Sequence, residues 1–347
     1  MKTNILTFEE ALSEADDKKN LLLGNGFSIA CAPNIFAYNS LFEQAKKGQL
    51  KGISELKEVF DALKTTDFEI VIKELENTSK VLSVYDKKSH VTEKLIQHSD
   101  KIKNILIDTI SENHPRLPSN IENYRFMACR KFLSNFIGVE NAGRIYTLNY
   151  DLLLYWTLMN NEDNDIKLKL DDGFRGNKND YVKWNSEVKH ETQNIHYVHG
   201  ALHIFNEEGI TKKCTWSNSG IPLIEQVRSA MNCSMFPLFV TEGDSLNKLT
   251  KIRKNAYLLH SFKSFSEIMK QSKQSLFIYG HSLADNDAHI LEKISKGKVN
   301  KVFISLYGGL ESNKSLVERA KKIEAERDEK NPLIIHFFDA ESAKVWG

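Results

Sequence analysis

The chain has 347 residues, and its 47 basic side chains almost balance its 46 acidic ones. A net charge this close to zero gives no overall attraction to nucleic acid or to an anionic membrane surface. The hydrophobic share of 41% and the charged share of 27% are typical of globular proteins, and no apolar run approaches the roughly 18 residues of a membrane span. Since the N-terminal segment also lacks the basic-then-apolar layout of a signal peptide, we expect a cytoplasmic protein without a membrane partner.

The first predicted elements are a helix and a buried strand. Thr7 and Glu10 have the spacing of a capping box, which predicts a helix over residues 7–15. A strand is predicted over residues 20–23, and it stops at Gly24-Asn25-Gly26-Phe27-Ser28. A strand that ends at two glycines before a helix is how nucleotide-binding α/β folds hold a phosphate group. The alternative is a tight strand-to-helix turn that binds no ligand.

Two features of this turn depart from the dinucleotide fingerprint of dehydrogenases. Ile29 stands where the third glycine is expected, and the acidic residue expected about 20 positions later can only be Glu43. Glu43 lies in a segment with helical periodicity and not at a strand end. The turn therefore does not predict a plain dehydrogenase.

Helical periodicity continues from residue 40 to about residue 138, with breaks at the prolines of residues 114–118. We interpret this stretch as a helical insertion of roughly a hundred residues, the size of a small domain. The predicted organisation is a first part of a Rossmann-like domain over residues 1–39, the insertion over 40–140, and the remainder of that domain over 141–347.

Strand and helix patterns alternate in the second half of the chain. Strands are predicted at residues 144–151, 195–200, 236–241, 275–279, 301–306 and 333–338, and helices at 152–159, 246–269, 285–294 and 316–326. Residues 160–194 are polar and loop-like, with a turn and a possible hairpin at Asp171-Asp172-Gly173. This alternation predicts an α/β fold with a doubly wound, Rossmann-like parallel sheet and a large helical insertion.

Polar residues follow four of the predicted strands. The four sets are Gly24-Asn25-Gly26-Phe27-Ser28, Thr147-Leu148-Asn149-Tyr150-Asp151, His199-Gly200, and Gly280-His281-Ser282-Leu283 with Asp285-Asn286-Asp287. Ligands of open parallel sheets bind beyond the carboxyl ends of the strands, so these sets predict one shared pocket. Each also has a plainer interpretation: Asn149 and Asp151 as helix caps, His199 as a satisfied histidine, and Asp287 as a carboxylate that complements a helix dipole.

In order and spacing, these motifs resemble the sirtuin family, and more closely the bacterial sirtuin-like proteins of antiphage defence. The resemblance extends from residue 21 to about residue 291 through four short motifs. It implies that the first motif binds the phosphates of NAD. The residues of that motif are Gly24, Asn25, Gly26, Phe27 and Ser28.

The resemblance also implies roles for the later motifs. Asn149 and Asp151 would contact the nicotinamide ribose and the carboxamide, and His199 would be the catalytic base. The residues implied to hold the adenosine half of NAD are Gly280, Ser282 and Asp287.

The chain departs from the sirtuin deacylases in several ways. Its four cysteines are scattered, so the four-cysteine zinc module of that family is missing and we expect no metal. Leu148 replaces the glutamine that usually precedes the motif asparagine. The Asp-Phe-Arg segment is also missing, although Phe36 or Tyr38 can supply its aromatic ring. These differences argue against peptide deacylation and leave hydrolysis of the N-glycosidic bond with water as the acceptor.

The resemblance and these departures from it together imply an NAD glycohydrolase that depletes NAD during phage infection. NAD is its expected substrate, and the expected partners are further copies of the chain and a defence protein such as an ATPase or a nucleic-acid-guided activator. Two other functions stay open: a non-catalytic sensor of NAD or ADP-ribose, and a sirtuin-like deacylase or ADP-ribosyltransferase.

Overall fold

The fold is taken from a computed structural model of the chain. It describes residues 4–33, 35–36, 41–48, 54–66, 68–86, 90–112, 114–160, 166–176, 181–187, 192–214, 221, 223–233, 235–240 and 245–347. No helix within these ranges is both long enough and apolar enough to cross a membrane.

The described residues form twelve strands and thirteen α-helices. The strands are β1 Ile5–Leu6, β2 Lys18–Leu23, β3 Ile145–Thr147, β4 Phe174–Arg175, β5 Tyr181–Trp184, β6 Ile195–Tyr197, β7 Gly200–Glu207, β8 Ile210–Cys214, β9 Phe236–Phe239, β10 Gln274–Tyr279, β11 Lys301–Leu306 and β12 Ile334–Asp339. The helices are α1 Phe8–Glu14, α2 Gly26–Cys31, α3 Leu41–Lys47, α4 Ser54–Ala62, α5 Phe68–Tyr85, α6 His90–Glu112, α7 Asn123–Ile137, α8 Leu153–Met159, α9 Leu223–Asn232, α10 Ser245–Lys254, α11 Ala256–Met269, α12 Ala288–Ser295 and α13 Lys314–Ala325.

The main sheet has seven parallel strands in the order β1-β12-β11-β10-β2-β3-β6. Without the edge strand β1, and counted in chain order, this is the 3-2-1-4-5-6 order of the Rossmann fold. The order reverses between β2 and β10, which makes their carboxyl ends the topological switch point. The predicted α/β fold with a Rossmann-like parallel sheet is confirmed.

The core lies on the faces of this sheet. Leu21, Leu22 and Leu23 of β2 are fully buried, as expected for a central parallel strand covered on both sides. On one face, the ring of Phe132 in α7 lies 5.3 Å from that of Phe8, and Phe136 lies 5.3 Å from Phe277. Helix α7, which falls in the predicted insertion over residues 40–140, therefore packs on the sheet between β2 and β3 in chain order.

A second sheet was not predicted from the sequence. It is antiparallel, with the strand order β4-β5-β8-β7-β9. The turn at Asp171-Asp172-Gly173 leads into β4 and the hairpin that β4 forms with β5. The first six residues of β7 are all buried, so this strand lacks the alternation of polar and apolar residues that identifies a half-buried strand.

Candidate functional site

The four strands with polar ends are neighbours in the main sheet. Tyr279 of β10 pairs with Leu23 of β2, Leu23 with Thr147 of β3, and Thr147 with Tyr197 of β6. These residues are the last or nearly last of their strands, so the four polar sets emerge at one level of one sheet edge. The four strand ends therefore lie side by side, while the shared pocket stays a prediction.

The glycine turn after β2 packs directly on the turn after β10. Gly26 N–H donates a 2.7 Å hydrogen bond to Gly280 O, and Gly280 has a φ of +69°. A Cβ on Gly26 would lie 2.6 Å from Gly280 Cα, and one on Gly24 would lie 2.7 Å from both Gly280 O and His281 Cα. The close contact between the two turns therefore explains why Gly24, Gly26 and Gly280 are glycines, whether or not a ligand binds there.

The first N–H groups of α2 donate to carbonyl groups of the protein. Phe27 N–H donates to Gly24 O and Ser28 N–H to Asn25 O, both at 3.0 Å. The Phe27 side chain is buried against Trp346, with ring centroids 5.0 Å apart, and belongs to the core. Of the first predicted motif, the exposed Asn25 is the residue best placed to reach a phosphate.

Asn149 links the end of β3 to the glycine turn. Its Nδ2 donates to Gly24 O at 2.9 Å and to Ser28 Oγ at 3.0 Å. Since a carbonyl oxygen can only accept, this network fixes the amide orientation, and Oδ1 faces away from Gly24. Among the described residues, Oδ1 has no hydrogen-bond partner in the protein.

Asp151 completes this network and lies two residues before the start of α8 at Leu153. Ser28 Oγ donates a hydrogen bond to Asp151 Oδ2, and Leu153 N–H donates to Asp151 Oδ1 at 2.9 Å. Burial raises the pKa of Asp151, while these two hydrogen bonds oppose the rise. Asp151 lies one position before Leu152, the N-cap residue of α8, and its carboxylate anchors Ser28 and, through it, Asn149.

His199 belongs to a neighbouring cluster. Its Nε2 lies 3.1 Å from Nε2 of His289 in α12, and Nδ1 of His289 lies 3.0 Å from Ser245 Oγ. Ser245 Oγ also accepts the backbone N–H of His289 at 2.7 Å. Burial lowers the pKa of His199 to about 3 and that of His289 to about 4, so both imidazoles are neutral at pH 7.

Asp287 is the charged member of this cluster. Lys248 Nζ lies 2.8 Å from its Oδ1, and His281 Nε2 lies 3.1 Å from its Oδ2. Leu283 N–H donates to His281 Nδ1, which places the proton of His281 on Nε2, facing the carboxylate. Burial opposes the ionisation of Asp287, but the hydrogen bond from His281 and the charge of Lys248 hold its pKa well below the usual range.

The structure thus sorts the predicted residues into two adjoining networks. Ser28, Asn149 and Asp151 form one, and His199 and Asp287 belong to the other. The networks meet at Gly24, whose carbonyl accepts from Asn149 and at which an added Cβ would lie 2.7 Å from His281 Cβ.

Three side chains of the second network converge as metal ligands do. One ligand atom each from His199, Asp287 and His289 lies within 4.8 Å of the other two. Two imidazoles and a carboxylate are a donor set that suits zinc and other divalent transition metals.

The remaining predicted residues lie elsewhere. Ser282 is exposed, and its carbonyl accepts a 3.0 Å hydrogen bond from Arg319. The Phe36 ring packs edge-on against His114 with centroids 5.9 Å apart, and Tyr38 lies outside the described residues.

Four residues of the site were missed in the sequence, namely His114, Ser245, Lys248 and His289, and His281 was included without a role. His281 lies inside the fourth polar set, and His289 follows Asp287 by two positions, so proximity in sequence was the available signal. A buried lysine such as Lys248 gives no such signal, because its carboxylate partner is 39 residues away.

An open cleft lies beside the first network. Its volume is about 590 Å³, within the range of small-molecule sites. Residues that line it include Cys31, Ile35, His114, Arg116, Ile121 and Arg125. His114 Nε2 accepts the backbone N–H of Leu152, the residue after Asp151, so the cleft wall is connected to the strand end of β3.

Comparison with known proteins identifies a family. The model of the family DUF4917, described as a domain of unknown function, matches residues 21–346. No curated protein matches the sequence. The match begins in β2 and ends beside Phe27 at Trp346, so it includes all four polar strand ends. The chain therefore belongs to the DUF4917 family.

Proposed function

We propose that the protein is an NAD glycohydrolase that cleaves NAD to nicotinamide and ADP-ribose and depletes NAD in antiphage defence. The observation that carries the proposal is the hydrogen-bonded network of Asn149, Ser28 and Asp151 beside the switch point of a 3-2-1-4-5-6 sheet. Dinucleotides bind at this place in Rossmann folds, and the network sets a polar amide at the strand end. The resemblance of the motifs to sirtuin-like proteins supplies the reaction.

The reaction needs stabilisation of positive charge on the ribose. As the bond to nicotinamide breaks, the sugar becomes oxocarbenium-like, and a water molecule or ribose hydroxyl must be oriented near it. Asn149 suits this role because Nδ2 is held by Gly24 and Ser28, which leaves Oδ1 to accept from a hydroxyl group. Asp151 acts on Asn149 through Ser28, and its remaining lone pairs can accept from the carboxamide.

His199 is the proposed base. Its Nε2 faces His289, so a proton would be taken up at Nδ1, which has no hydrogen-bond partner among the described residues. The neutral imidazole is the form that can accept a proton. The negative charge of Asp287 favours the resulting imidazolium and opposes the effect of burial.

Contacts with other copies or with a defence partner are proposed for the helical insertion. Apolar side chains are exposed where α5 ends and α6 begins, namely Val81, Val84, Tyr85 and Val91. Such side chains are favoured at protein interfaces, where their burial contributes to affinity.

The test is nicotinamide release from NAD by the purified full chain, alone and with candidate partners. We expect release from the wild type and from Asn135→Ala, a half-buried asparagine whose Nδ2 donates to carbonyl groups of its own helix α7, and none from Asn149→Ala. Bound NAD or ADP-ribose without release would establish the sensor instead. Release that survives in Asn149→Ala would reject the assigned site.

A further inference from the structure

We propose that His199, Asp287 and His289 bind a divalent transition-metal cation of the zinc class. The site is independent of the glycine turn and goes beyond NAD cleavage, although it shares His199 with the proposed reaction. It departs from the expectation, drawn from the sequence, of a protein without metal.

The distances between the ligand atoms suit a tetrahedral cation. The two Nε2 atoms are 3.1 Å apart. Two nitrogen ligands of tetrahedral zinc, each about 2.0–2.1 Å from the metal, are separated by about 3.3 Å. A carboxylate oxygen of Asp287 and one ring nitrogen of each histidine all lie within 4.8 Å of one another, so a small shift of the carboxylate completes three-fold coordination and leaves the fourth position open.

Hydrogen bonds from other residues already orient two of the three ligands, His289 and Asp287. Ser245 Oγ lies 3.0 Å from Nδ1 of His289, which directs Nε2 toward His199. His281 donates to Oδ2 of Asp287 and is itself oriented by the N–H of Leu283. Hydrogen bonds to the far side of a ligand orient it and are a regular feature of metal sites.

The positive charge of Lys248 is the main feature of the site that disfavours a bound cation. Its ammonium group lies 2.8 Å from Asp287 Oδ1 and is almost fully buried. Each carboxylate oxygen has two lone pairs, so Asp287 can serve Lys248, His281 and a cation together, but the positive charge of Lys248 repels the metal. Because of this repulsion, a variant that lacks the ammonium group should bind the metal more tightly than the wild type.

A bound cation would also affect the proposed hydrolase. A metal ion on Nε2 of His199 requires that the single proton of the neutral imidazole lie on Nδ1, so that Nδ1 can no longer accept a proton. The cation would therefore act as an inhibitor of NAD cleavage, a consequence that rests on the proposed function, whereas cation binding itself does not.

The experiment measures metal binding directly. The full chain is stripped with EDTA, dialysed against Zn²⁺ or Co²⁺, and analysed for bound metal by mass spectrometry, with Co²⁺ absorption as a report of coordination. We expect about one ion per chain, and affinity reduced by at least about tenfold in Asp287→Asn and in His289→Gln. The control His336→Gln, a histidine of β12 outside the cluster, should bind as the wild type does.

The variant Lys248→Met shows whether weaker metal binding in the other variants comes from the loss of a ligand or from misfolding, because misfolding cannot explain tighter binding. Because the substitution removes the repelling charge and no ligand, it should bind Zn²⁺ more tightly than the wild type. A wild type without bound metal, binding that persists in Asp287→Asn and His289→Gln, or weaker binding in Lys248→Met would each overturn the site. A chain that binds the metal but still releases no nicotinamide after EDTA has removed the metal would reject the proposed hydrolase and keep the metal site.

Discussion

Asn149 and Ser28 are 121 residues apart in the sequence, yet Asn149 Nδ2 donates a 3.0 Å hydrogen bond to Ser28 Oγ. The same hydroxyl donates to Asp151, so one serine oxygen joins the end of β3 to the helix that follows β2. Both Ser28 and its partners are buried, where an unmade hydrogen bond is costly. The predicted site residues therefore also stabilise the packing of the end of β3 against helix α2.

Ser28→Ala should lower the free energy of unfolding by about 1–3 kcal/mol, because it leaves buried polar groups of Asn149 and Asp151 without their partner. Ser266→Ala is the matched control, since the hydrogen bond that Ser266 Oγ makes within the described ranges is to the carbonyl of Phe262 in its own helix. Urea unfolding of both variants provides the comparison. Equal stabilities would show that the network contributes nothing.

Gly26→Ala should destabilise the chain by about 1–3 kcal/mol through overpacking, since its Cβ would lie 2.6 Å from Gly280 Cα. Gly48→Ala provides the control, because its Cβ would come no nearer than 3.4 Å to another residue. Thermal unfolding in the absence of NAD is the measurement. Reduced NAD binding with unchanged stability would instead favour a glycine kept for the approach of a ligand.

His199→Ala should lower the turnover number of NAD cleavage by roughly 10²–10⁴-fold, the usual contribution of a general base. His336→Gln should retain wild-type turnover. Nicotinamide release under saturating NAD gives the rate. Full turnover in His199→Ala would remove the base from the proposed mechanism and leave the fold unaffected.

Because the buried His114 resists protonation in the folded chain, the free energy of unfolding should fall in mild acid. Burial lowers its pKa from 6.5 to about 4 in the folded chain, so the unfolded chain binds more protons between these values. Stability therefore falls as the pH drops from about 6.5 to about 4, by up to about 3 kcal/mol for this one group. Denaturant unfolding of His114→Gln should show a shallower pH dependence over that window, and parallel curves would contradict the assignment.

Much of the main sheet could be predicted because its elements carry local signals. The strand predicted at residues 301–306 matches β11, and the capping box of Thr7 and Glu10 is present. The helix predicted over 246–269 is in fact two helices. Asn255 separates them and caps the second by accepting the N–H of Leu258, a signal that the continuous periodicity concealed.

The site was predictable only to the level of strand ends. Parallel strands bring their carboxyl ends to one edge, so the proximity of the four polar sets followed from the fold class. The contact between His199 and His289 did not follow, because it depends on how α12 crosses the edge after leaving β10. The pairing of Lys248 with Asp287 likewise depends on the packing of α10, which no local pattern encodes.

The short strand β1 has a consequence for any attempt to isolate the family domain. The family match begins at residue 21, whereas β1 pairs with β12 through Ile5 and Leu6. A fragment cut to the match would expose the backbone N–H and C=O groups of β12, where Ile334 is already half exposed. Bare sheet edges of this kind recruit strands from other molecules. The residues before the match therefore cover the edge of β12 and oppose aggregation. Expression of the domain should start ahead of β1.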